Sequence, residues 1–392
     1  MRVFSGPRRR LLTLCFAIGC PAAFADSVSL TELPAPDGYP VAGVSNIAAD
    51  GTVIGVVYPD GLVVRWRPGA DPEVLGGGIT FTLDNILPLI SKDGSAIVAS
   101  GYFPGDGDGD ALVAAPELWS GATDWARISG ITLGSSSPFG VSYDGRTLVG
   151  SGEPAVPPAE GPTPQLPWIW NEAGGQVELA LPDEVFSGQA WAVSNDGSVA
   201  AGFVELTADD AARYGMRWVA GVPTWITDAD GLRVGQAIGC NSDCSVIVGA
   251  GVTGDVGSKQ AWRWSEAAGV QYLDPPADAG ADAVVYAFES NEDGTVIVGS
   301  YVVFDPTLGP TNHGFLWTAA DGMRDISQYL ADYGIEFGGA DWVDLLVDAV
   351  TPDGKTLLLN GLDADYTRRR AVVQIAVDDW IFADGFEPIG PL

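Results

Sequence analysis

Apolar positions in this chain come in short alternating runs of four to eight residues, cut by Gly, Asp, Asn and Pro. One phrase recurs: a Ser or other small residue, a spacer, Asp-Gly, then a β-branched run that often ends in Gly. It reads Ala48-Ala49-Asp50-Gly51-Thr52-Val53-Ile54-Gly55 at first, then Ser91-Lys92-Asp93-Gly94 and Ser142-Tyr143-Asp144-Gly145. It returns as Ser194-Asn195-Asp196-Gly197, Asn241-Ser242-Asp243-Cys244, Asn291-Glu292-Asp293-Gly294 and Thr351-Pro352-Asp353-Gly354. The turn aspartates stand at 50, 93, 144, 196, 243, 293 and 353, a mean period of about 50 residues. Asp-Gly between apolar runs predicts a hairpin, because Gly takes positive φ freely and Asp bonds its own backbone. Period-2 alternation of branched residues predicts the flanking strands.

In the first six units a third strand follows the hairpin and ends on an aromatic: Val64-Arg65-Trp66, Glu117-Leu118-Trp119, Trp168-Ile169-Trp170, Met216-Arg217-Trp218, Trp262-Arg263-Trp264 and Phe315-Leu316-Trp317. A short turn leads to a fourth, such as Val270-Gln271-Tyr272-Leu273. Four strands per unit in seven units predict an all-β fold: one seven-bladed β-propeller. A parallel β-helix needs shorter periods, and an open two-sheet array is the alternative. The last unit (Ala371 to Ile375) stops after its third strand, while Val28 to Pro34 resembles a stray fourth. The N-terminal strand is therefore expected to complete the last blade and remove an exposed edge. One helix is expected before that blade. Ile326, Tyr329, Leu330 and Tyr333 fall at helical spacing from Asp325, with Gly334 as a stop. Packing on the end of the ring is its expected role, with a lid over a ligand as the alternative.

Hairpins of the form S-x-D-G-x-x-x-x-G followed by H-x-F-x-W resemble those of secreted bacterial HAF-repeat proteins. The clearest third-strand copy is His313-Gly314-Phe315-Leu316-Trp317, and Met323-Arg324-Asp325-Ile326 through Gly334 resembles the helix-bearing last repeat. The resemblance covers roughly residues 26–377. Each motif is short, and the sevenfold recurrence is the specific part. It implies an extracytoplasmic location and a propeller-like fold, and no established reaction.

Residues 1–25 read as a signal peptide. Arg2 and Arg8-Arg9-Arg10 precede a short apolar run, and Ala23-Phe24-Ala25 fits the cleavage rule. The run is too short to span a bilayer, which needs roughly 20 residues. Twin-arginine export and a lipoprotein box at Cys20 are weaker variants of this reading, and no later segment has membrane length. Export to the extracellular space or outer surface, or to the periplasm, is expected. The leader carries four Arg and no acid, so its removal takes the net charge from −32 to −36. So acidic a chain, with Lys only at 92, 259 and 355, is repelled by nucleic acid and by anionic membranes. The 52 Gly and 27 Pro argue against long helices and fit seven sets of turns.

The candidate chemistry is sparse. Asp106, Asp108 and Asp110 alternate with Gly and offer three oxygens to calcium, with Glu117 eleven residues on from Asp106. Ala111 stands where such a loop needs Gly, and Glu117 belongs to a predicted strand, so a solvated acidic loop is the favoured reading. Calcium is the one cofactor these residues suggest. Cys240 and Cys244 remain after leader removal, an even pair in an oxidising compartment. Cys244 replaces the turn Gly, and a disulfide is expected to hold that turn. The S-x-D-G turns resemble the Asp-box of sialidases but lack its following aromatic, so their Asp is expected to be structural. The Trp set is expected to pack between blades, with a few sites able to stack on sugars. His313, the sole His, is expected in strand packing. No nucleophile-elbow, zincin or Walker pattern occurs.

Two function classes follow. The first is a monomeric, non-catalytic exported propeller that binds an extracellular protein or glycan. The second is a carbohydrate-active hydrolase or lyase with paired carboxylates at the central channel. Carboxylates about 5–10 Å apart between aromatic walls favour the second; a plugged mouth favours the first. The aromatic tail at 378–392, with Trp380, Phe382 and Phe386, is a candidate sorting segment.

Overall fold

The structure is a computed structural model. It describes residues 28–375 apart from 59–60, 77–86, 105–111, 120, 122–124, 209–211, 252–258, 281, 306–308 and 336–341. The leader and the aromatic tail lie outside the described residues.

Seven four-stranded antiparallel blades form a ring. Each begins with the strand that precedes an Asp-Gly turn, and these strands wall the centre. They are Val41–Ile47, Leu89–Ile90, Ser136–Val141, Ser187–Val193, Ala237–Cys240, Val284–Ser290 and Trp342–Val350 in blades 1 to 7. In blade 4 the remaining strands are Val199–Glu205, Tyr214–Val219 and Val222–Trp225.

The recurring phrase is a hydrogen-bonded device. In all seven turns the Asp Oδ1 accepts from the backbone N–H two residues on, at 2.9–3.1 Å. Ser91, Ser142, Ser194 and Thr351 donate to that carboxylate at 2.7–2.8 Å. Their hydroxyls also accept from the N–H five residues on. Asn241 and Asn291 accept in the same way at 2.9 Å. This is why the position takes only Ser, Thr or Asn in six units. Turn Gly such as Gly197 has φ 67°, and Cys244 holds the equivalent place at φ 51°.

The Gly that ends the phrase has a different cause. A Cβ on Gly202 would lie 2.0 Å from Gln189 O, and one on Gly299 1.9 Å from Tyr286 O. The inner strand presses its carbonyl onto this point, so no side chain fits.

Burial is organised as seven wedges, one between each pair of neighbouring blades. Third-strand aromatics fix these wedges. Trp170 Nε1 donates to Ser129 O (2.9 Å) and Trp218 Nε1 to Ala180 O (2.7 Å), each just past the fourth strand of the preceding blade. The residue before the Trp then covers the next blade. Arg65 lies over Trp119 (4.6 Å), Arg217 over Trp264 (4.3 Å) and Arg263 over Trp317 (5.8 Å), as cation–π contacts.

Closure follows the expectation. Ser29–Glu32 pairs antiparallel with Arg368–Gln374, with Leu30 opposite Val373. Trp66 Nε1 donates to Pro34 O at 2.7 Å, the same bond that Trp170 and Trp218 make in blades 3 and 4. The N-terminal strand is thus the fourth strand of blade 7. Helix α1 (Ile326–Asp332) is capped by Asp325, which accepts from Ser327 N and Gln328 N. Ile326, Tyr329 and Leu330 are buried in the wedge between blades 6 and 7, with Leu316, Val347 and Leu359. Its apolar face is used in that core and does not border the channel, which leaves nothing for a lid. Among the described residues no helix is long and apolar enough to cross a membrane.

Candidate functional site: the central channel

The inner strands carry a β-bulge at one repeated place. The register slips between Val44 and Asn46, Pro138 and Gly140, Ala190 and Ala192, Ala237 and Gly239, Ala287 and Glu289, and Val347 and Ala349. The extra residue stands five positions before each turn Asp, and a bulge re-aims that side chain. Ser45, Phe139, Trp191, Ile238, Phe288 and Asp348 all line one cavity of about 380 Å³ at the centre of the ring. The pressed carbonyls that demand Gly202 and Gly299 come from residues just before these bulges.

The wall is mainly apolar. Phe139 and Trp191 stack with centroids 5.7 Å apart, and Trp191 Nε1 is fixed by Gln189 Oε1 at 2.9 Å. Phe288 stacks on Tyr286 at 6.5 Å. Ser45 donates its hydroxyl to Pro88 O. Asp348 is the one charged member of the bulge set. Its side chain is half-buried on the channel wall, and desolvation there pushes its pKa up to about 7. A hydrogen bond from the Asn360 amide works weakly in the opposite direction.

At the turn end of the bore, Lys92 reaches across from blade 2. Its Nζ lies 2.5 Å from Glu289 Oε1 of blade 6 and donates to Ile47 O (3.2 Å) and Val350 O (3.0 Å). Glu289 Oε2 accepts from Val350 N at 3.0 Å. Blades 2 and 6 face each other across the ring, so this ion pair is a strut over the bore. Neighbouring turns are laced around it: Ala49 N donates to Lys92 O (2.7 Å), Asp93 N to Tyr143 O (3.0 Å), Asn195 N to Ser242 O (2.8 Å) and Glu292 N to Pro352 O (2.9 Å). The Ser242 hydroxyl donates to Glu292. Burial, with the negative charges of Glu292, Asp353 and Asp93, raises the Tyr143 phenol above its ordinary value.

Of the residues expected from sequence, Asp106, Asp108 and Asp110 lie outside the described residues. Glu117 is buried in blade 2 with its carboxyl over Gly101. Cys240 and Cys244 form a disulfide across the fifth turn. His313 stacks on Tyr301 at 5.0 Å, and its Nδ1 lies 3.4 Å from Asp325 Oδ2. Tyr301 OH donates to the same oxygen at 2.8 Å. Burial would raise the Asp325 carboxyl, but the bonds from His313, Gln328 N and Tyr301 outweigh it and leave it lowered. This cluster anchors the helix cap and does not line the cavity. Asp348 and Lys92 were not singled out from sequence. The signal was present: down the column five residues before the turn Asp, only Asp348 is charged.

No family model matches the chain, and no curated protein matches it. Solved structures do. The β-propeller domain of the Trilobed protease from Pyrococcus furiosus, described as having an open velcro topology, is similar at TM-score 0.55 and 12% identity, over 85% of this chain and 95% of that one. An oligogalacturonate lyase from Vibrio parahaemolyticus is similar at TM-score 0.53 and 12% identity, over 89% and 97%. A prolyl endopeptidase is similar at TM-score 0.53 and 11% identity, over 86% of this chain but only 50% of its own length. At these identities the likeness is one of fold, and it spans peptidase and lyase propellers.

Proposed function

We propose that this chain is an exported, non-catalytic propeller of the HAF-repeat kind, whose channel and faces bind an extracellular ligand. One observation carries the reading. Among the described residues three carboxylates line the cavity, and two are already engaged, Glu289 by Lys92 and Val350 N, and Glu292 by Ser242. The partner of Asp348 is the Asn360 amide, not either of these acids. Paired acid–base hydrolysis needs two carboxyls free to exchange protons with a substrate. The Lys92–Glu289 strut also crosses the bore, which favours a binding pocket over a passage. The charge of −32 disfavours polyanionic ligands.

A second reading has one observation in its favour. A carboxyl that titrates near neutrality beside aromatic walls suits a general acid, and this supports a carbohydrate-active hydrolase or lyase. The mature protein applied to a glycan and polysaccharide array, with and without calcium, separates the two. Oligogalacturonides belong on the array because one fold neighbour acts on them. Retained, uncleaved ligand supports the binding scaffold. New reducing ends or unsaturated products from any hit overturn it.

A further inference from the structure

We propose that the central channel is a binding site for a small organic cation, a quaternary ammonium or protonated amine carried on an apolar body, held by Asp348 among Phe139, Trp191 and Phe288. The inference rests on reading the channel as a binding site and names the ligand class it takes.

Four observations converge. First, among the described residues Asp348 has no cationic partner, and Asn360 supplies its hydrogen bond. Lys92, the one cation on the wall among the described residues, is committed to Glu289 and two backbone carbonyls. A carboxyl left without a counter-charge in a low-dielectric wall gains by accepting a cation from solution. Second, the bulges turn three aromatic side chains from blades 3, 4 and 6 into the cavity that Asp348 of blade 7 lines. Aromatic rings attract a poorly hydrated cation through their quadrupole, and desolvation strengthens that attraction. Third, the cavity of about 380 Å³ falls in the range of small-molecule sites, and its wall is more apolar than polar. Fourth, the whole molecule is strongly acidic, and a cleft in such a field concentrates cations.

The apolar wall favours an organic cation over a metal ion. A hard metal ion wants six or more oxygens. The bulge set presents only the Asp348 carboxylate and the Ser45 hydroxyl, which already donates to Pro88 O. A methylated ammonium needs few hydrogen bonds and accepts aromatic carbon as its surroundings.

Among the described residues the charged and titratable groups on the cavity wall are Asp348, Lys92, Glu289, Glu292 and Tyr143. Desolvation lifts the Asp348 carboxyl to about 7, so protons compete with the ligand there. Choline and benzyltrimethylammonium are permanent cations, so their own charge does not change with pH. Calorimetric titration at pH 8 should show binding of both. 3,3-Dimethylbutan-1-ol, the uncharged counterpart of choline, should bind at least ten-fold more weakly. At pH 5.5 the affinity should fall about thirty-fold, as expected for a carboxyl titrating near 7. Asp348→Asn should lose ten-fold or more at pH 8 and lose the pH dependence. Trp191→Leu should weaken binding while leaving the pH dependence intact. Circular dichroism and thermal melting confirm that both variants are folded. Equal affinity for the uncharged counterpart, or unchanged binding by Asp348→Asn, overturns the proposal. So does absence of binding at 10 mM, and in each of these cases array binding to a glycan or protein still stands. Chemical change of the cation, followed by NMR, instead overturns the non-catalytic reading.

Discussion

Replacing Asp348 by Asn should make the ring more stable at neutral pH. In the folded chain its carboxyl is pushed from the ordinary 3.8 up to about 7. In the unfolded chain it ionises near the ordinary value. Between these values the native state holds a proton that the unfolded state has released. Stability therefore falls as pH rises through this window, by about 1.4 kcal/mol per pH unit. Fully developed above pH 7, the cost reaches ~4 kcal/mol. Because the side chain keeps partial access to the channel, about 2–4 kcal/mol is the working range. Asn has nearly the same shape and keeps an oxygen for the Asn360 amide, but carries no charge to bury. The assay is urea denaturation of wild type and Asp348→Asn from pH 4 to pH 8, comparing midpoints and slopes. Other titrating groups are common to both proteins and drop out of the difference. That difference should be near zero at pH 4 and grow in favour of the variant up to pH 8. A pH-independent difference, or a wild type that is the more stable at pH 8, refutes burial of a lone carboxylate as the cause.

Other positions give further tests. Gly202→Ala places a methyl group 2.0 Å from Gln189 O and should cost ~1–3 kcal/mol in thermal or urea unfolding; an unchanged melting temperature would mean the bulge yields easily. Removing residues 28–34 strips the fourth strand from blade 7 and bares the edge of Arg368–Gln374, so light scattering should detect association that the chain keeping these residues does not show. In the fifth turn, Cys240→Ala with Cys244→Gly should fold normally, because Gly suits φ 51°. Cys240→Ala with Cys244→Ala should be ~1 kcal/mol less stable by urea denaturation. Asp196 is held at about 2 by hydrogen bonds from the Ser198 side chain and backbone and from Ser194. Its stabilising effect is complete above the ordinary carboxyl value and disappears as pH falls through 2. Asp196→Ala should therefore lower the melting temperature at pH 6 and do so less at pH 2; an equal loss at both would refute it.

The local rules of this chain are written in its sequence. An Asp-Gly turn with Ser, Thr or Asn two residues before the Asp satisfies its own backbone. Five turns fit this pattern in full, the first has Ala48 for the Ser and the fifth Cys244 for the Gly, and the seven turns together define seven blades. The unmatched Val28 to Pro34 segment revealed the closure, because an incomplete last blade and a surplus first strand have one joint solution. Cys244 in a Gly position likewise marked the disulfide. These are short-range or periodic constraints, and periodicity survives without coordinates.

The channel was settled at another level. Whether the residue five before each turn Asp faces the core or the bore depends on a bulge, and a bulge is a mismatch between two strands that neither strand shows alone. The closing Gly of each phrase is its trace, since Gly202 and Gly299 are required only because an inner-strand carbonyl presses on them. Lys92 looked like one more turn residue, yet ring closure carries its ammonium to Glu289, almost 200 residues later in the chain. Asp348 looked like one acid among 51. Its distinction comes from a desolvating place on the channel wall with no cation opposite it among the described residues, and only the assembled ring imposes that environment.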